Sequence, residues 1–178
     1  MTRGNAGSTM THPPAEAAPR EIIVEADAWE RTPFTPGLAV STAEQAIKAA
    51  CEELALKPGV GFAILLTDDT ALQVLNRDYR SKDRPTNVLS FPAFEPDELP
   101  EYGHIGDIAI ALETVLAESS EAHIRPEHHL AHMVVHGLAH LAGFDHVDDA
   151  EAEEMEALEV RALARMGIAN PYLSSDEE

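Results

Sequence analysis

His136, His140 and His146 are spaced to hold one metal ion. On a helix, residues 136 and 140 stand one turn apart, so both imidazoles leave the same face with about 6 Å between them. Gly143 can take positive φ and end that helix, which lets the chain double back and bring His146 to a third position. Three neutral imidazoles leave a tetrahedral zinc with one open site, the arrangement of a catalytic ion. Nickel or another divalent ion also suits such a set. Six of the nine histidines fall between positions 128 and 146, too dense for chance scatter. The pattern H-x-x-x-H-x-x-G-x-x-H repeats the ligand spacing of extended zincin motifs. Zincins, however, carry their glutamate base directly after the first histidine, where this chain has Gly137. A metallopeptidase-like zinc hydrolase is therefore the second reading. Either the ion's own water ionises at about pH 7, or another group takes its proton.

The second chemical feature is basic. Arg77, Arg80, Lys82 and Arg84 are four of the twelve lysines and arginines, in a chain of net charge −20. That charge excludes a general nucleic-acid coat, because backbone binding draws on Lys and Arg neutralising phosphates. A basic loop on an acidic body can still focus a polyanion at one place. The single cysteine, Cys51, excludes an internal disulfide framework and reads as a buried helical thiol in a reducing compartment. No apolar run reaches the length of a membrane span, and Met1 to Arg20 lacks an apolar signal core, so the cytoplasm is the expected location.

The elements that must position these residues read as one α+β domain over 21–173. It follows a disordered tail over 1–20 and precedes an acidic tail over 174–178. A small mixed sheet of about four strands is expected against about five helices. Strands are expected at Glu21–Glu25, Val60–Thr67, Thr86–Phe91 (an edge, given Pro92) and His104–Ala111. The last of these should carry Ile105, Asp107, Ala109 and Ala111 on one face. An aspartate in an apolar strand marks either a wet strand end or the orientation of a site group. Helices are expected near Ser41–Leu56, with Ser41 and Glu44 as capping box, then after Asp68 and over Leu112–Ala122. The histidine helix follows from Pro126, and a last helix covers about Asp148–Met166 with a solvated acidic face. In the histidine helix Leu130, Val134, Leu138 and Leu141 form the core stripe, and His129, His132, His136 and His140 share the other side. His132 reads as a partly exposed histidine in preference to a group supporting the ligands.

Two stretches together resemble a known family. Leu75-Asn76-Arg77-Asp78-Tyr79-Arg80-Ser81-Lys82-Asp83-Arg84-Pro85-Thr86-Asn87-Val88-Leu89-Ser90-Phe91-Pro92, then Gly106-Asp107 and His132 through His146, look like the bacterial YbeY family of rRNA-maturation endoribonucleases. The family pattern is H-G-x-L-H-L-x-G-Y-D-H. This chain departs from it at Ala139 for leucine and Phe144 for tyrosine, neither of them a ligand. The resemblance implies single-strand-selective cleavage of rRNA, not DNA, in 16S 3′-end maturation and ribosome quality control. As partners it implies the small ribosomal subunit, a small-subunit ribosomal protein and an Era-type GTPase, with no membrane involved. Carried over, His136, His140 and His146 would be the zinc ligands and Arg80 the functional arginine, so that Arg80 and His136 carry catalysis. The chemistry agrees, because metal-assisted phosphodiester hydrolysis benefits from a guanidinium that forks onto phosphate oxygens. Attack by the RNA 2′-hydroxyl is the alternative chemistry. A non-catalytic, metal-stabilised assembly factor on the ribosome is the alternative function.

Overall fold

The computed structural model describes residues 17–25, 34–95 and 98–173. In chain order these form β1 (Arg20–Val24), α1 (Pro36–Glu53), β2 (Gly59–Thr67), α2 (Asp69–Arg80), β3 (Val88–Pro92), β4 (Tyr102–Ala111), α3 (Leu112–Glu121), α4 (Pro126–Leu141) and α5 (Asp149–Arg165). The sheet order is β1-β2-β4-β3, with the first three strands parallel and β3 antiparallel on the edge. This is the expected mixed α+β sheet, and Pro92 closes its edge strand.

β2 is central because its apolar run can be buried on both faces. Val60, Phe62, Ile64 and Leu66 enter the main core with residues of α1, α4 and α5. Leu65 packs on the other side with Leu72 of α2 and with Leu89, Ala109 and Ala111. Most helical mass therefore lies on one face, and α2 partly covers the other. No helix among the described residues is long and apolar enough to cross a membrane. Residues 1–16 and 174–178 of the two expected tails lie outside the described residues. Ala18 and Pro19 already run along β2, donating to the Gly59 carbonyl and accepting from the Phe62 amide.

Three expectations need correction. α1 begins before Ser41: Thr35 is the N-cap, its side chain accepting from the Leu38 amide, and Pro36 opens the helix. Proline fixes a helical φ at a position that needs no donor, and this outcompetes the Ser41–Glu44 box, both of whose members sit exposed within the helix. Secondly, Ile105 does not share a face with Asp107, Ala109 and Ala111. The strand pairs Gly61 with His104 but Ala63 with Asp107, so β4 holds one extra residue there. That bulge reverses the alternation and sends Ile105 into the main core beside Ile108 and Ile110. Thirdly, the acidic side of α5 is not wholly solvated, because Glu159 is buried.

Gly106 makes the bulge possible. It has φ +144°, and a β-carbon there would stand 2.4 Å from the Phe91 carbonyl oxygen. Gly106→Ala is expected to cost about 2 kcal/mol in a urea titration, from backbone strain and from loss of the β3–β4 approach. An unchanged midpoint would show that the bulge relaxes freely.

Candidate metal centre

α4 presents its histidines because its other face is fixed. Pro126 occupies the first turn, and Leu130, Ala131, Val134, Val135, Leu138 and Leu141 are buried. Gly137 lies against β4, where an added β-carbon would meet the Ile108 side chain at 2.9 Å. Its carbonyl accepts a 3.3 Å hydrogen bond from Ser90 Oγ of β3. Gly137 is thus a helix–sheet contact, and a glutamate base has no room there.

The turn after α4 then sets the third histidine. Gly143 has φ +95° and donates to the His140 carbonyl, while the Phe144 amide donates to the Ala139 carbonyl. These are the paired bonds of a Schellman ending, with glycine at the left-handed position. The reversal brings the Phe144 carbonyl to His140 Nδ1, which donates to it at 3.0 Å. The main chain, and no hydroxyl, orients this imidazole, so phenylalanine at 144 removes nothing from it. The ring of Phe144 packs on the core.

His136 is oriented from α5. Its Nδ1 donates to Glu159 Oε1 at 2.8 Å, and His132 Nε2 donates to Glu159 Oε2 at 2.7 Å. The Tyr172 hydroxyl donates to the same Oε2. Burial alone would raise the Glu159 carboxyl, but the hydrogen bonds from His132, His136 and Tyr172 outweigh it and hold the group at about 2. Carboxylate and carbonyl oxygens only accept, so the ring protons of His136 and His140 both reside on Nδ1. Their Nε2 atoms, left as lone pairs, face each other at 3.1 Å. Two such acceptors repel unless a cation lies between them. Two nitrogens bound to a tetrahedral zinc stand about 3.3 Å apart. His146 completes the group, one ring nitrogen of each histidine lying within 4.8 Å of the others. The donor set therefore fits a divalent ion. Burial, and after it the charges of His136 and His146, push the His140 imidazole down to about 4, so protons compete weakly for it.

Arg80 shares a cavity with two of the histidines. His140, His146, Gly143, Phe144 and Asp145 line a cavity of about 440 Å³ together with Arg80, Ser90, Pro92, Phe94 and Glu95. Arg80 is the last residue of α2, and its Nη2 donates to the Ser90 carbonyl at 3.3 Å. Buried Asn76 ties down the basic loop that follows, donating to the Arg84 carbonyl at 2.8 Å. The rest of the basic cluster does not line this cavity, and Arg77 is paired with Asp78 at 2.8 Å. Asp107 does not orient the histidine site. It is exposed mid-strand, bonded to His104 Nε2 at 2.9 Å, and lines a separate cavity with Leu65, Leu75, Tyr79 and Phe91.

Sequence reasoning missed Glu159 and Tyr172, and it quoted Ser90 without giving it a role. The signal for Glu159 was its place in the apolar stripe Met155, Leu158, Ala162 and Leu163, where a carboxylate needs buried partners.

Known proteins resemble this chain over most of its length. The family profile described as Endoribonuclease YbeY matches residues 29–167. The chain belongs to the endoribonuclease YbeY family. A relative named Endoribonuclease YbeY from Azorhizobium caulinodans is 47% identical over 152 residues, covering 85% of this chain and 94% of that protein. One of the same name from Erythrobacter litoralis is 55% identical over 119 residues, 62% of this chain and 73% of the other. A solution structure of a Thermotoga maritima protein shares the fold of this chain, with a TM-score of 0.53 at 23% identity, over 89% of this chain and 98% of that one.

The depressed His140 value has a measurable consequence. Between pH 6.5 and about 4 the unfolded chain binds a proton at this residue that the metal-free folded protein does not, so stability falls as pH falls through that window. His140→Gln is expected to flatten that part of a plot of urea midpoint against pH. An unchanged slope would show that His140 titrates normally.

Proposed function

We propose that this protein is a zinc-dependent endoribonuclease that cuts single-stranded rRNA, acting at the 16S 3′ end during small-subunit maturation and in ribosome quality control. The observation that carries this reading is the cavity lined by both Arg80 and two members of the three-histidine cluster, His140 and His146. Family membership supports the reaction class, through relatives that bear the name endoribonuclease.

His136, His140 and His146 are the proposed ligands, and His136 and Arg80 the residues that carry catalysis. A divalent ion held there supplies Lewis acidity toward a phosphoryl oxygen and acidifies water. The chain's own residues do the rest. Nδ1 protonation, enforced by Glu159 and the Phe144 carbonyl, keeps the Nε2 atoms of His136 and His140 free to bind the ion. Arg80 holds only a 3.3 Å bond to the Ser90 carbonyl, weak enough to exchange for a phosphate fork. Its guanidinium offers a delocalised positive charge to an anion that gains negative charge during cleavage. Phe94 beside it offers a partly exposed ring on which an unpaired base could stack.

A peptidase is disfavoured by Gly137, whose place against Ile108 leaves no room for the glutamate base. The acidic remainder of the chain, at net charge −20, suits docking on basic ribosomal proteins of the small subunit, with an Era-type GTPase as a further partner. These partners and the reducing environment read from Cys51 agree with a cytoplasmic setting.

Arg80→Ala is expected to lower cleavage of a single-stranded rRNA fragment about a hundredfold or more while one ion per chain still binds. His140→Ala should lose both. An Arg80→Ala protein that cleaves at the wild-type rate would remove Arg80 from the mechanism, and equal cleavage by His140→Ala would mark a contaminating nuclease. Product ends separate the chemistries, since a 2′,3′-cyclic phosphate arises only from attack by the RNA's own 2′-hydroxyl.

A further inference from the structure

Glu159 is 1% exposed and lies in the α5 stripe that packs on the core. A buried carboxylate persists only when its lone pairs are used. Here Oε1 accepts from His136, and Oε2 accepts from both His132 and Tyr172. Tyr172 belongs to the short C-terminal strap, residues 167–173, that follows α5 and folds back toward α4. Its hydroxyl also lies 3.2 Å from His132 Nε2, and the two rings meet edge to face at 5.5 Å. One carboxylate thus joins a histidine of the three-histidine cluster to the segment that follows α5.

We propose that Glu159 is a positioning residue of the three-histidine site and that Tyr172 couples it to the C-terminal strap, so that ion binding and strap docking stabilise each other. This rests on the reading of His136, His140 and His146 as ligands. Glu159 does not reach the ion's place and acts through His136. By accepting the Nδ1 proton it selects the tautomer whose Nε2 is free, fixes the ring plane and makes the imidazole a stronger donor. His132 and Tyr172 occupy the second oxygen, which stops the carboxylate from rotating away. Since Tyr172 stands on the strap, any ordering of Glu159 by a bound ion is felt by residues 167–173, and linkage makes the effect reciprocal.

The bland alternative is a polar staple that merely fastens α5 to α4. A staple changes the stability of the metal-free protein but not the ion affinity of the folded molecule, nor the response of the strap to the ion. A glutamine at 159 keeps the size, but its amide offers one acceptor and one donor where the two histidines need two acceptors.

The test measures zinc affinity by chelator competition on the full chain for wild type, His140→Ala, Glu159→Gln and Tyr172→Phe. It is paired with amide hydrogen exchange of residues 168–173 with and without zinc. Glu159→Gln is expected to bind zinc about tenfold to a hundredfold more weakly, and Tyr172→Phe about fivefold or more. Zinc should slow exchange in the strap of the wild type but not of Tyr172→Phe. If Glu159→Gln does not fold, Tyr172→Phe carries the test, because it removes one hydroxyl from a side chain that is 42% exposed. Wild-type affinity in the folded variants, or strap exchange in the wild type that ignores zinc, overturns the inference while leaving the ligands in place. A wild type that binds no zinc, or a His140→Ala protein that binds it equally well, overturns the ligand assignment and the inference with it.

Discussion

Two imidazole nitrogens without protons, His136 Nε2 and His140 Nε2, stand 3.1 Å apart, and the surrounding fold is arranged to keep them so. Left alone, either ring would rotate or shift its proton to relieve the repulsion. Each is prevented by an acceptor on its far side, Glu159 from α5 for one and the Phe144 carbonyl from the turn after α4 for the other. The turn exists because Gly143 takes a left-handed conformation. The α5 acceptor survives burial because His132 and Tyr172 share its load. A cation bound between them would resolve the conflict, and an ion that binds the folded but not the unfolded chain would add to stability by mass action.

The sheet contributes by close approach. Gly137 lets α4 settle on Ile108, Gly106 lets β3 approach β4, and Ser90 sits where the three elements meet. Its hydroxyl bonds the helix and its carbonyl holds Arg80, so the arginine and the histidines are placed from one strand. This explains how two motifs some sixty residues apart come to share a cavity in a protein whose net charge of −20 would otherwise repel RNA. A guanidinium and an ion held by the histidines, as proposed, would restrict a polyanion to one productive place on an otherwise acidic protein.

Much of this was legible in the sequence. Proline at 126 and glycine at 143 bounded the histidine helix correctly, because both act through local backbone geometry. The edge position of β3 followed from Pro92 and the centrality of β2 from its unbroken apolar run. What failed were features decided by packing partners far away in the chain. The β4 bulge depends on how Gly106 meets Phe91, so period-two alternation put Ile105 on the wrong face. Ser41 and Glu44 matched a capping box, but Thr35 and Pro36 offered an earlier start. Glu159 looked like one more solvated acid on an acidic helix, whereas it is buried with His132 and His136 as partners, and His132 is partly exposed as expected. A carboxylate inside an apolar stripe was the available signal.

The histidine cluster and Arg80 are proposed to form one phosphodiester site. Anomalous diffraction at the zinc edge tests this most directly, from crystals grown with zinc and a short single-stranded RNA in which methylene groups replace both bridging oxygens of the central phosphate, so that neither water nor the 2′-hydroxyl can cleave it. One peak bonded to His136, His140 and His146 is expected, with the phosphate beside it forked by Arg80 released from the Ser90 carbonyl. A peak at other residues, or a phosphate at the ion with Arg80 still on Ser90, would contradict it.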